Sequence, residues 1–167
     1  MKKLALAIAL TISSSIALAD MTMTNQGSMD HGNTINSEGM SDVGMPAPSL
    51  KPTKIAYVML SDDMKITFKE EIKIEPNDVV QFVVMNTGKI NHEFSIGSEK
   101  EQLEHREMMR KMSSQQMHHS GSSGNSITVE PGKAEQLIWS FHGDKNVELA
   151  CNIPGHAEAG MTKDIKL

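Results

Sequence analysis

Val147-Glu148-Leu149-Ala150-Cys151-Asn152-Ile153-Pro154-Gly155-His156-Ala157-Glu158-Ala159-Gly160-Met161 decides how this chain is read. Val147, Leu149 and Cys151 fall on alternate positions, the period of a strand with one face turned to a core. The period then stops, and Pro154 and Gly155 turn the backbone. Four residues separate Cys151 from His156, and four more separate His156 from Met161. A strand therefore ends in a loop that offers a thiolate, an imidazole and a thioether, the soft and borderline donors that copper prefers. A trigonal site of one Cys and two His with a weak axial Met needs a second imidazole from elsewhere in the chain.

Working outward, period two dominates. Ile55, Tyr57 and Met59 alternate with Ala56, Val58 and Leu60, which predicts a strand covered on both faces. Met64, Ile66 and Phe68 alternate with polar residues, as do Ile72 and Ile74. Glu75-Pro76-Asn77-Asp78 reads as a turn, and Val79 to Met85 as an apolar strand ending at Asn86-Thr87-Gly88. The unit Ile72-Lys73-Ile74-Glu75-Pro76 returns as Ile127-Thr128-Val129-Glu130-Pro131. After Trp139 and Phe141, Gly143-Asp144-Lys145-Asn146 reads as a hairpin turn into the strand that carries Cys151, and Ile165 and Leu167 mark a last strand. Short strands at this spacing predict an all-β, antiparallel sandwich. Ile90, His92, Phe94 and Ile96 share one face, so if the apolar residues point inward, His92 does too. Such a histidine is either a core residue bonded to backbone or a ligand. Beside the loop it supplies the missing imidazole, so the expected metal ligands are His92, Cys151, His156 and Met161.

Composition narrows the class. Lys2 and Lys3, the apolar run Leu4 to Leu10 and Ala17-Leu18-Ala19 form an export signal over residues 1–19, with the mature chain starting at Asp20 in the periplasm. Thr11, Ser13, Ser14 and Ser15 break the run too early for a membrane anchor. The formal net charge of -5 becomes more negative once the two lysines leave, which argues against nucleic acid as a partner. In an oxidising compartment the lone Cys151 is expected to pair, oxidise or be held by a metal, and the chain has no second cysteine.

Methionine is abundant, at 14 residues, while aromatics make up 4%. Residues 20–52 read as a flexible arm in which Met21, Met23, Met29, His31, Met40 and Met45 interrupt polar chain. That arm is either a plain low-complexity tail or a weak copper-binding segment. Residues 53–167 form one domain with an insertion at about 98–125. Ser98-Glu99-Lys100-Glu101 has the form of a capping box and predicts a helix from about Glu99 to about Gln116. His105, Met108, Met109 and Met112 share one side of it, and Met117, His118 and His119 follow. The stripe either packs on the sandwich or forms secondary copper sites.

The loop from Cys151 to Met161, together with Asn91-His92-Glu93-Phe94, resembles the cupredoxins, the small blue-copper proteins, with a spacing similar to azurin-, auracyanin-, rusticyanin- and sulfocyanin-like members. The resemblance spans roughly Lys54 to Leu167 apart from the insertion. It implies a Greek-key sandwich binding one copper through His92, Cys151, His156 and the weak axial Met161, and a protein that is not an enzyme. The exported context and the Met/His-rich additions are similar to cupredoxins of bacterial copper-resistance systems. Copper handling with one-electron Cu(I)/Cu(II) chemistry is the function this implies, and a dedicated periplasmic electron carrier is the alternative. A redox or copper-trafficking partner is expected to dock on the apolar residues around His156, with the protein a monomer. Many members carry Asn after the first ligand His, tying that strand to the Cys loop. Glu93 stands there in this chain, which leaves Asn91 or Asn152 as substitutes.

Overall fold

The computed structural model describes residues 40–114 and 124–167; the expected export signal, the expected arm up to residue 39, and Met117, His118 and His119 lie outside the described residues. In chain order the elements are β1 (Gly44–Pro46), β2 (Lys54–Ser61), β3 (Lys65–Phe68), β4 (Val79–Asn86), β5 (His92–Gly97), α1 (Glu99–Ser114), β6 (Ser126–Val129), β7 (Ala134–Phe141), β8 (Asn146–Ala150) and β9 (Thr162–Lys166). The strands form two sheets, ordered β1-β7-β4-β2-β3 and β6-β5-β8-β9. Each sheet turns its alternate apolar residues to the other. Ala56, Val58, Leu60, Val80, Phe82, Val84, Trp139 and Phe141 come from the first sheet, and Phe94, Ile96, Val129, Val147 and Leu149 from the second. Phe82 sits at the centre, its ring 5.3 Å from that of Phe94 and 6.1 Å from that of Phe141.

The sandwich is as expected, but several local features differ. The first sheet is mixed, because β2 and β4 run parallel with Ala56 opposite Phe82 and Leu60 opposite Asn86. A parallel pair needs a crossing connection. Residues 69–78 supply it, so Ile72 and Ile74 lie in that crossing rather than in a strand, with Ile74 buried as a plug. On β2 one face is open, since Ile55 is 51% and Tyr57 52% exposed. Both alternating sets there are apolar, so the pattern does not say which faces water. Residues 143–146 are not a hairpin turn but a passage between sheets, because β7 belongs to the first and β8 to the second. Ile90 lies outside β5 and is exposed, so the inward direction of His92 rests on Phe94 and Ile96. Within the span read as arm, β1 pairs with β7, and Val43 is buried. Gly44 suits this approach: its φ is +144°, and a Cβ there would fall 2.1 Å from the Ser140 carbonyl oxygen.

β5 is buried along its whole length, on both faces. The reason is α1, which contacts β5 and β8 and covers the outward residues Glu93, Ser95 and Gly97. The helix begins as its capping box predicts, with the Ser98 amide donating to Glu101 Oε2 at 2.7 Å and the Glu101 amide to Ser98 Oγ at 3.4 Å. Glu101 also accepts from the Asp42 amide at 2.9 Å and the Ser41 hydroxyl at 2.7 Å, joining the helix start to the approach to β1. Burial pushes the Glu101 carboxyl up, but these bonds outweigh it and hold it below the ordinary value. The expected Met/His stripe is unevenly covered. His105, Met109 and Met112 are half-buried on the inner side, while Met108 is exposed.

Replacing Phe82 by Ala should open a cavity at the centre of the sandwich and cost about 3–5 kcal/mol in urea unfolding. Tyr57→Ala, on the open face, should cost about 1 kcal/mol or less. Equal losses would mean that the core is misplaced.

Candidate metal centre

The topology brings four ends to one pole. β2 and β4 end there together because they run parallel, while β5 starts and β8 ends there because they run antiparallel, with Ser95 opposite Ala150. His92, at the start of β5, and Cys151, just past β8, are both fully buried. The loop then folds back on itself. The His156 amide donates to the Ile153 carbonyl at 3.0 Å, and Gly155 takes a φ of 91° that favours glycine. The Met161 amide donates to the His156 carbonyl at 3.0 Å, and the Cys151 amide to the Met161 carbonyl at 3.0 Å, so the buried Met161 is held beside both.

Ligand-type atoms of His92, Cys151 and His156 lie within 4.8 Å of one another, which among the described residues makes this a group of three His, Cys, Asp or Glu donors able to hold an ion. Cys151 Sγ is 3.2 Å from His156 Nδ1, and the two imidazole rings are 5.2 Å apart. His92 Nδ1 is buried with no hydrogen-bond partner among the described residues. An orphaned buried nitrogen is costly unless something absent from the chain engages it. Burial pushes the Cys151 thiol up to about 11, so an ion bound as thiolate must displace its proton. Burial first, and then the neighbouring His92, hold the His156 imidazole below its ordinary value, which keeps its lone pair free. A thiolate and two neutral imidazoles beside a methionine fit copper.

Around these donors lies a second layer. The Glu93 amide donates to Cys151 Sγ at 3.2 Å, and the Glu93 carboxylate accepts from the Asn152 amide at 3.0 Å. Glu93 thus ties its strand to the Cys loop itself. Asn152 receives that tie rather than replacing it, and its side chain is gripped by α1. Asn152 Nδ2 donates to Gln102 Oε1 at 2.7 Å, and Arg106 Nε donates to Asn152 Oδ1 at 3.1 Å. Gln102, 1% exposed, also accepts from Ser95 Oγ at 3.0 Å and donates to the Glu148 carbonyl at 2.9 Å. Arg106 pairs with Glu148, and Arg110 with Glu158 at 3.3 Å. His105 turns toward this layer, 3.4 Å from Glu93 Oε1 and 3.4 Å from Asn152 Nδ2.

Sequence reasoning missed Gln102, Arg106 and Asp62. Asp62 Oδ1 lies 3.1 Å from His92 Nε2, and its Oδ2 accepts from the Lys89 amide at 2.8 Å. The Lys89 amide foremost, with His92, holds the Asp62 carboxyl below its ordinary value. No signal in a single sequence pairs residue 62 with residue 92.

The chain is 60% identical over 171 residues to the copper-resistant cuproprotein CopI of Vibrio cholerae, covering 99% of each. It is 34% identical over 144 residues to the protein of that name from Pseudomonas aeruginosa, covering 71% of this chain and 78% of the relative. No protein-family model matches. Among solved structures, auracyanin B superposes with a TM-score of 0.56 at 14% identity, covering 75% of this chain and 98% of its own. That likeness shows the fold, a cupredoxin sandwich.

Gln102→Ala would strand Ser95 and Asn152 as buried polar groups, and should cost the apoprotein about 2–3 kcal/mol in urea unfolding. Leu103→Ala, one residue away and exposed, should change it by about 0.5 kcal/mol or less. Gln102→Ala matching Leu103→Ala would show that the helix does not brace the loop.

Proposed function

The chain belongs to the family of copper-resistant cuproproteins called CopI, and from that premise we propose that it is an exported copper-handling protein that binds one copper through His92, Cys151, His156 and Met161. The buried, partnerless His92 Nδ1 beside Cys151 and His156 carries this reading. Thiolate and thioether suit Cu(I) and imidazole suits Cu(II), so copper held here supplies one-electron chemistry between the two states. The chain's part is to fix the donors. β5 and β8 hold His92 and Cys151, the two Met161 backbone bonds close the loop, and Glu93 with the α1 side chains keeps it from relaxing as charge changes.

The rim supports a docking role. Pro154 and Ala159 are exposed and Ile153, His156 and Ala157 half-buried, so the imidazole lies under small apolar groups where a redox or copper-trafficking partner could approach. The same rim is what favours the second reading, a dedicated electron carrier. Secondary copper binding along α1 finds less support. His105 is already engaged with Glu93 and Asn152.

A strain lacking this protein should grow slowly only under excess copper, and the wild-type gene should restore growth where Cys151→Ser does not. A respiratory defect at ordinary copper would favour the electron carrier and overturn the tolerance role.

A further inference from the structure

We infer that Asp62 is a positioning residue of the metal site: its carboxylate holds His92 in the tautomer that leaves Nδ1 free for the ion, and sets a negative charge behind that ligand. The inference rests on the copper reading above. A neutral imidazole carries one N–H and one lone pair, and a carboxylate only accepts. With Asp62 Oδ1 3.1 Å from Nε2, the proton belongs on Nε2 and the lone pair on the buried, partnerless Nδ1. The other tautomer fails twice. It would set a lone pair against a carboxylate and leave an N–H buried without an acceptor.

The carboxylate is built into place. Its second oxygen accepts from the Lys89 amide at 2.8 Å. Gly88 leaves the space it occupies, since a Cβ there would fall 1.8 Å from Asp62 Oδ1. The turn that carries Gly88 and Lys89 is fixed in turn, with the Gly88 amide donating to Asn86 Oδ1 at 2.8 Å and the Thr87 amide to the Leu60 carbonyl at 2.8 Å. The parallel pairing of β2 and β4 is what sets residues 62 and 86–90 side by side.

A carboxylate behind a ligating histidine fixes its ring and raises its basicity. Its negative charge also favours the more positive of two metal oxidation states, Cu(II) over Cu(I). The Asp62 side chain is 39% exposed, so solvent screens part of that charge and the effect belongs at the low end of what outer partners contribute.

Two measurements test this at one fixed pH. Nitrogen-15 NMR of the apoprotein should show His92 as the Nε2–H tautomer, and Asp62→Ala should shift it toward a mixture. This readout needs no copper, so it stands apart from any failure of the copper reading itself. In the copper-loaded protein, Asp62→Asn removes the charge and one of the two acceptors. It should lower the preference for Cu(II) over Cu(I) about tenfold, a rise in reduction potential of about 59 mV. Asp62→Asn keeps one acceptor and should unfold at nearly the wild-type urea midpoint, whereas Asp62→Ala leaves the buried His92 Nε2 without its acceptor and should lower it. An Nδ1–H tautomer in the wild type, a tautomer unmoved by Asp62→Ala, or a potential unmoved by Asp62→Asn would each overturn the assignment.

Discussion

At one pole of the sandwich a buried imidazole nitrogen, His92 Nδ1, has no partner among the described residues and lies near a buried thiol and a second imidazole. Polar groups are not left so in a folded core without cost, because each has lost water and gained nothing in return. The surrounding structure does the reverse of relieving that cost. It buries His92, Cys151 and Met161 and holds His92 and Cys151 from behind through Asp62 and the Glu93 amide. A site so arranged gains stability when an ion completes it, because binding free energy adds to folding free energy.

The fixing comes from three directions, each traceable to topology. Antiparallel β5 and β8 set His92 and Cys151 side by side, and the Glu93 amide binds the sulfur. Parallel β2 and β4 deliver Asp62 to the far nitrogen of His92. The helix inserted after β5 runs back along the second sheet toward the same pole. It meets Ser95 and Glu148 through Gln102, Asn152 through Arg106, and Glu158 through Arg110. Its inner face sets Gln102, His105 and Arg106 beside Met109 and Met112, where an ordinary packing helix would be apolar throughout. Over its described part, the helix braces the loop.

Residue pattern discloses the elements unevenly. The ligand loop was legible because a thiol, an imidazole and a thioether at such short spacing serve few purposes besides holding a soft metal ion, and the two-sheet architecture because apolar residues repeat every second position. Strand direction was not: Val79 to Met85 reads the same whether its neighbour runs parallel or antiparallel. Nor was the open face of β2, where Ile55 and Tyr57 are as apolar as the buried Ala56 and Val58. Glu93 showed as a departure, but its answer, a carboxylate that ties its strand to the Cys loop, depends on Asn152 lying opposite it. Gln102 and Asp62 act through residues 30 to 50 positions away, and periodicity carries no information across such distances.

The central claim is that Cys151 and its neighbours form one copper centre. Loading the purified protein with Cu(II) and recording its visible and electron paramagnetic resonance spectra tests it most directly. The expected result is one tightly held copper per chain, with an intense thiolate-to-copper band that vanishes in Cys151→Ser. A wild-type protein that shows no such band, or a band that survives the loss of Cys151, would contradict it.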